Sequence, residues 1–260
     1  MKKTISLLLT TLLCLLLLAS CKSSDHTVDG TSTNFHYEIG KDGNVTITGS
    51  EIPFQEINIP AYVYFPVTSI DKEAFSGYSS LSSITIPDSV ISIGEEAFRE
   101  CSSLTSITLP DSVMSIGQGA FRECSSLTSI TLPDSVISIG QEAFHGTGYY
   151  NDESNWEDGV LYIGHHLIRA GTSLDGSYTI KKKTVCIADW AFANCTNLTA
   201  ITIPDSVTSI GTFAFSHCDN LSSIHFTGTK AQWNEIRKDF RWDNSTGNCT
   251  VYCTDGNITK

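Results

Sequence analysis

Cys101, Cys124, Cys195 and Cys218 form one spaced set, and Asp88, Asp111, Asp134 and Asp205 form another. Neighbours within each set lie 23 residues apart, except across the middle of the chain, where the step is 71. If the chain stacks on itself at that period, the cysteines become a column of thiols and the aspartates a column of carboxylates. A thiol column could oxidise pairwise, and disulfides are allowed in an exported protein. In-register parallel side chains point the same way, however, so buried free thiols are the expectation and disulfides the alternative. Cys249 and Cys253, in an extended strand, would sit about 13 Å apart and could not bridge. A carboxylate column could hold calcium, but that ion takes six to eight oxygens and one carboxylate per unit is a thin set. Turn chemistry is the expected role of the aspartates. His165 and His166 would make a metal pair only on one side of a strand, where adjacent residues cannot be, so a solvated hairpin tip is expected. The same objection removes His217 beside Cys218 as a thiol pair. No H-E-x-x-H, G-x-S-x-G, phosphate loop or C-x-x-C is present, so neither an enzyme nor a cofactor or metal site is expected.

The N-terminus carries different chemistry. "MKK" precedes the 15-residue apolar run 5–19, the n-region and h-region of a signal peptide. As a helix the run would span about 22 Å, short of the roughly 30 Å hydrocarbon core. "LASC" (18–21) resembles the bacterial lipobox, which implies cleavage before Cys21 and lipidation of its sulfur and new amino group; two or more acyl chains anchor stably. Residues 1–20 then read as the lipoprotein signal and 21–34 as a polar tether. By analogy with bacterial lipoproteins, Lys22 rather than Asp after the cysteine implies sorting to the outer membrane. The formal charge of −12 argues against nucleic acid and against electrostatic binding to anionic lipid. Membrane association is expected through the lipid alone.

What positions the spaced residues is a repeat. Ala-Phe recurs at 74–75, 97–98, 120–121, 143–144, 191–192 and 214–215, and "RECSSLTSITLPDSV" occurs twice, at 99–113 and 122–136. The 23-residue step is broken between 144 and 192 by 48, two periods plus two residues. A period of this size means a solenoid. Within 81–101, Leu81, Ile84, Ile86, Val90, Ile93, Ala97, Phe98 and Cys101 read as inward and Thr85 as outward. Pro87-Asp88-Ser89 reads as a turn, Gly94 as a sharp corner, and "EEAFRE" as a short helical turn. One unit cannot bury its two flat faces alone, so copied letters are what each turn needs to fit its neighbour. Thr85, Thr108, Thr131, Thr179 and Thr202 would line a neutral hydroxyl face whose plain role is solubility, with a weak, multivalent protein- or glycan-contact surface as the functional alternative.

The segments "LSSITIPDSVISIGEEAF", "LTSITLPDSVMSIGQGAF", "LTSITLPDSVISIGQEAF" and "LTAITIPDSVTSIGTFAF", with the diverged "YTIKKKTVCIADWAF", resemble the BspA-like, Treponema-type leucine-rich repeat family over roughly 35–253. The resemblance implies a leucine-rich repeat solenoid with parallel β ladders and short helical turns. It also implies a bacterial surface protein, as relatives are, several of them implicated in adhesion to host proteins such as fibronectin or fibrinogen. The shared residues are core residues, so no functional residue carries over.

The expected organisation is a hairpin cap at 35–55, a right-handed solenoid of seven or eight turns at 56–226 with an insertion at 145–177, and a C-terminal cap at 227–260. In that cap Thr229 and Gln232 read as a capping box, followed by a helix with Trp233 and Ile236 on one face. The insertion, a polar loop with three aromatics and then a hairpin at 160–170, is where a copied scaffold would carry unique chemistry. Candidate ligand contacts are Tyr149, Tyr150, Trp156, Trp190, Phe213 and Trp233. Trp190 and Phe213 replace Glu96, Gly119 and Glu142 before Ala-Phe and should stack about 4.8 Å apart. They need a cover, either the insertion folding down or a partner. The leading function is a lipid-anchored surface module binding a protein ligand, such as a host extracellular or neighbouring-cell protein. Capture of a glycan on the aromatic residues is the alternative, and a passive spacer a third reading.

Overall fold

The computed structural model describes residues 35–50, 55–63, 65–246 and 249–259. The signal segment, Cys21 and the tether lie outside the described residues.

Each repeat contributes two short strands. The Ser-Ile-Thr strands Ser83–Thr85, Ser106–Thr108 and Ser129–Thr131 stand on one face. The Ser-Ile strands Ser92–Ile93, Ser115–Ile116 and Ser138–Ile139 stand on another. Pairing is parallel and in register at the repeat period, as in Ile130↔Ile107 and Ile139↔Ile116. Along the Ser-Ile side the rungs begin with Val45–Ser50 and Phe65–Ile70 and continue through the three repeats. The next rung is His166–Ala170, within the insertion, and beyond it come Cys186–Ile187, Ser209–Ile210 and Arg237–Lys238. That makes about nine turns, more than the seven or eight read from the repeats, because strands of both caps join the ladder as rungs.

The Pro-Asp-Ser turns close with Val90 N–H on the Pro87 carbonyl at 3.0 Å. Their serines reach back one turn: Ser112 and Ser135 donate to the Val90 and Val113 carbonyls at 2.6 and 2.8 Å, and Ser206 donates to Thr184. The recurring hydroxyl is a staple between turns. The glycine after Ser-Ile is needed for close approach: a Cβ on Gly94 or Gly117 would lie 2.5 Å from the preceding turn's backbone.

The segment read as a short helical turn is built differently. Ala97, Arg99 and Cys101 donate to Gly94, Glu96 and Phe98 in successive i→i+3 turns, with Glu96 and Glu100 left-handed at φ 52° and 60°. Left-handed residues four apart, on either side of Ala97-Phe98-Arg99, turn alternate amides along the stack. Glu96, Phe98 and Glu100 N–H thus bond to the carbonyls of Gln118, Ala120 and Arg122, each at 2.8 Å. This third ladder replaces helical bonding.

Inside run like-on-like columns. Phe75, Phe98, Phe121 and Phe144 stack at 5.3–5.5 Å between ring centroids, and Phe192 on Phe215 at 5.0 Å. The other inward positions are buried as read, Ile84 partly so. Cys101, Cys124 and Cys218 are buried free thiols donating to the carbonyls of Phe75, Phe98 and Phe192. Burial pushes the Cys218 thiol up to about 12 and Cys195 to about 11, which keeps them protonated.

The insertion is not a surface decoration. Strands Val160–Ile163 and His166–Ala170 pair antiparallel, and nearly every side chain is buried. Leu161, Ile163 and Ile168 join the core of the first stack, while Val160, Tyr162, Leu167 and Ala170 join that of the second. The hairpin is a partition packed on both sides. His166, expected in a solvated tip, is therefore fully buried, its Nε2 3.0 Å from the Pro133 carbonyl; His165 pairs with Asp134 at 2.8 Å.

The stack closes with the Thr229–Gln232 capping box on helix Lys230–Glu235. Trp233 is 4% exposed, packed on Phe226 and Trp242 with the Lys238 ammonium over its ring. It is cap core and offers no ligand platform, which corrects its place among the candidate contacts.

Candidate functional site

The partition leaves a gap on the third ladder. In the first stack each turn's amides bond to carbonyls of the next: Phe75 to Ala97, Phe98 to Ala120, Phe121 to Ala143, each at 2.8 Å. The next turn should offer acceptors to Glu142 and Phe144. Instead the chain runs straight through as His166–Ala170, and Ala170 donates upward to the Ala191 carbonyl at 2.7 Å. Among the described residues no hydrogen bond leaves the Glu142 or Phe144 amide. A cleft of about 310 Å³ opens there, walled by Gln141–His145 on one side and Asp189, Trp190 and Asn194 on the other, with Ile168 and Arg169 between and Tyr150 beside it.

The site's side chains are held by the local fold. Asp189 Oδ1 accepts from the Thr212 amide at 2.7 Å, in space that a Cβ on Gly211 would occupy. Burial pushes its carboxyl up to about 6. Arg169 Nη1 donates to the Trp190 carbonyl, tying the partition to the second stack. Glu142 pairs with Arg122 at 3.1 Å. Ala188, which lines the cleft, stands where other turns have glycine.

Thr147 caps the short helix Gly148–Asn151, its Oγ1 accepting from Tyr150 N–H. Tyr149 donates to the Tyr162 carbonyl, and Trp156 Nε1 to that of Tyr150 at 2.8 Å. The Tyr150 ring packs edge-on to Trp156 and against His145. These three aromatics are half-buried and internally bonded, and of them Tyr150 lines the cleft. Trp190 and Phe213 stand 4.8 Å apart, as their register requires. Their cover is not the insertion's aromatic cluster: Trp190 faces the cleft, and Phe213 meets Phe240 edge-on at 5.8 Å. Phe240, 65% exposed, extends the aromatic column.

The structure thus brings Tyr150 and Trp190 to one cleft, sets Phe213 behind Trp190, and removes Trp233. Sequence reasoning missed Glu142, Arg169 and Asp189. Two signals pointed there: alanine at 188 in the glycine column, and two residues in excess of two periods. Among the described residues no cluster of three His, Cys, Asp or Glu could hold a metal, and no helix is long and apolar enough to cross a membrane.

The family described as BspA type leucine-rich repeat region matches six copies, over residues 50–175 and 171–239. A leucine-rich repeat protein of T. pallidum is similar at 27% identity and a TM-score of 0.47, over 74% of this chain and 82% of its own. One from Bacteroides ovatus is similar at 33% identity and 0.47, over 78% of this chain and 47% of its own, so the chain spans about half that relative's length. No curated protein matches the chain.

Proposed function

The chain belongs to the BspA-type leucine-rich repeat family, and from that premise we propose that it is a protein-interaction module held on the outside of a bacterial envelope by lipid on Cys21. The observation carrying the interaction reading is the interruption of an otherwise uniform stack. Turns that are near-copies need only fit each other, and among the described residues the junction at the partition, where they do not fit, presents two amides without acceptors, two carboxylates and two aromatic rings. With a formal charge of −12, basic or neutral protein partners fit best. Adhesion to host or neighbouring-cell proteins is the role this gives an anchored module, and no catalytic role is assigned. The anchor rests on the n-region, the apolar run and "LASC" at 18–21.

Two experiments test this. Cys21→Ser should move the protein out of the membrane fraction, since only sulfur accepts the diacylglyceryl group; unchanged partition into detergent would refute the anchor. The released protein, applied to paired arrays of extracellular proteins and glycans, should bind proteins in a salt-sensitive way. Tyr150 and Trp190, on facing sides of the cleft, favour the second reading, glycan capture by ring stacking. Glycan signals lost on substituting them would establish it, and silence on both arrays would leave a spacer.

A further inference from the structure

Where the third ladder stops, the cleft between the stacks offers hydrogen-bonding groups of both kinds and balanced charge. The Glu142 and Phe144 amides have no acceptor among the described residues, whereas Gly119 and Phe121, one turn below, donate to the Gln141 and Ala143 carbonyls at 2.9 and 2.8 Å. Phe144 is buried, and buried backbone donors are paired in folded proteins with few exceptions, so these amides call for an acceptor from outside the chain. Asp189 lines the cleft; its Oδ1 is committed to the Thr212 amide, which leaves Oδ2 as an acceptor. Asn194 lines it too, and its side-chain amide both donates and accepts. The charged groups already have partners or counter-charges. Glu142 pairs with Arg122 at 3.1 Å, and the Arg169 guanidinium holds the Trp190 carbonyl, so two carboxylates are offset by two guanidiniums. Trp190 has Phe213 against it at 4.8 Å, and its ring and that of Tyr150 both line the cleft.

We infer that the cleft binds one residue of a neutral glycan, a single pyranose ring whose hydroxyl oxygens accept from the Glu142 and Phe144 amides, whose hydroxyl hydrogens donate to Asp189 and Asn194, and whose C–H face lies on Trp190. Each hydroxyl both donates and accepts, so a ring carrying several of them meets scattered single donors and acceptors that one charged group would not. An anion would face the Glu142 and Asp189 carboxylates, and a cation the two guanidiniums and the bare amides, so charge selects neither. An apolar ligand would shut the amides and the Asp189 carboxylate away from water without partners, which is costly. The volume of about 310 Å³ lies at the lower end for small-ligand sites and suits one ring. The inference rests on the second reading of the function, glycan capture by ring stacking, and narrows it to one site and one neutral ring. A sugar carried on a partner protein meets its terms as well as one in a free polysaccharide.

The test uses the full chain carrying Cys21→Ser, followed by amide NMR at pH 7.5. The probes are the methyl glycosides of glucose, galactose, mannose and N-acetylglucosamine, with glucuronate, glucosamine and alanine as anionic, cationic and zwitterionic controls, each at millimolar concentration. At least one glycoside should shift the Glu142, Phe144 and Trp190 amide resonances and, at saturation, slow exchange at Glu142 and Phe144 about fivefold or more, leaving Phe98 and Phe121 unchanged. Its affinity should differ by less than about twofold between low and high salt, because no charge is neutralised on binding. Asn194→Gly suits the left-handed backbone there, at φ 64°, removes only an exposed side chain, and should weaken binding about fivefold. Trp190→Leu should weaken it at least as much, with parental Phe98 and Phe121 resonances as the check that each variant is folded. A control that binds as well as the glycoside, a strong salt dependence, or no shift at Glu142 and Phe144 with any glycoside overturns the inference. Glycan signals on the arrays that move neither resonance also overturn it, while leaving glycan capture intact at another place on the surface. Dextran, and a glycoprotein with and without its neutral glycans, then separate a free source from a protein-borne one, and a shift of the two resonances by either supports the site.

Discussion

The two stacks on either side of the partition share a backbone and a core but not an outer edge. Before Ala-Phe, Glu96 and Glu142 in the first stack and Trp190 and Phe213 in the second are all left-handed, with φ between 52° and 58°. In both, the following phenylalanine enters a stacked column. Outside, the first stack carries charge, with Lys72 on Glu95 at 3.0 Å, Arg99 on Glu96 at 3.3 Å and Arg122 on Glu142 at 3.1 Å. The second carries Trp190, Phe213 and Phe240 in contact. Inward letters set the stacking and cannot vary. The outward letter beside them is free, and its change from carboxylate to aromatic falls at the cleft.

The sharpest way to break the comparison is to disturb periodicity inside the uniform stack. Deleting 99–121 removes one whole turn and leaves every column aligned, so the protein should stay folded with a modest fall in Tm. Deleting eleven residues from the same place sets core positions against polar ones and should abolish cooperative melting by circular dichroism. Equal damage from both would mean that the turns do not support one another in register.

A smaller effect separates the two sides at the glycine column. Gly117→Ala drives a Cβ to 2.5 Å from the Gly94 carbonyl carbon and should cost about 1–3 kcal/mol in urea unfolding. Ala188→Gly, beside the cleft, should cost about 1 kcal/mol, through backbone entropy and the loss of a buried methyl. A reversed order would show that the junction is as tight as the repeats.

The outer columns should differ in the same way. Phe213→Glu sets a carboxylate between Trp190 and Phe240 and should destabilise by about 1–3 kcal/mol. Arg122→Gln removes an exposed ion pair and should change stability by under about 1 kcal/mol. Thermal melts of both variants at one salt concentration decide it.

Least in size is the response to pH. Burial raises the Asp189 carboxyl to about 6 and lowers the His166 imidazole. A carboxyl raised in the folded state disfavours folding once ionised, so its penalty grows as pH climbs from about 4 through 6. A histidine held neutral by the fold acts oppositely, and its contribution is lost as pH falls below about 6.5. Asp189→Asn should raise the Tm at pH 8 by about 2–4 °C and far less at pH 4. His166→Gln, which keeps a donor for Pro133 but cannot be protonated, should flatten the fall in Tm between pH 7 and 5. Profiles parallel to the parent would rule out both burial effects.

The solenoid was legible because its determinants are local and repeated: Ile, Phe, Gly and the Pro-Asp-Ser turn recur in fixed order, and each copy votes for the same geometry. The left-handed pairs at Glu96 and Glu100 were not, since glutamate gives no sign of positive φ and an E-E-A-F-R-E string favours helix by composition. The partition was half legible. Val160–Ile163 and His166–Ala170 read as a hairpin, but their burial on both sides depends on stacks far away in sequence. His166 and Trp233 were misplaced for the same reason, their surroundings being supplied by Pro133 and by Phe226 and Trp242. Asp189 and Arg169 carried no motif and became a site only when the backbone ladder was seen to stop beside them.

The central claim is that the ladder is closed at every junction of the first stack and open at its last turn. Native-state hydrogen exchange of single amides tests it directly. Glu96, Phe98, Gly119 and Phe121 should exchange only through global unfolding, whereas Glu142 and Phe144, without acceptors, should exchange at least about a hundredfold faster. Equal protection of Phe121 and Phe144 would contradict the account, because it would mean that the seam is already paired and that no rung is missing.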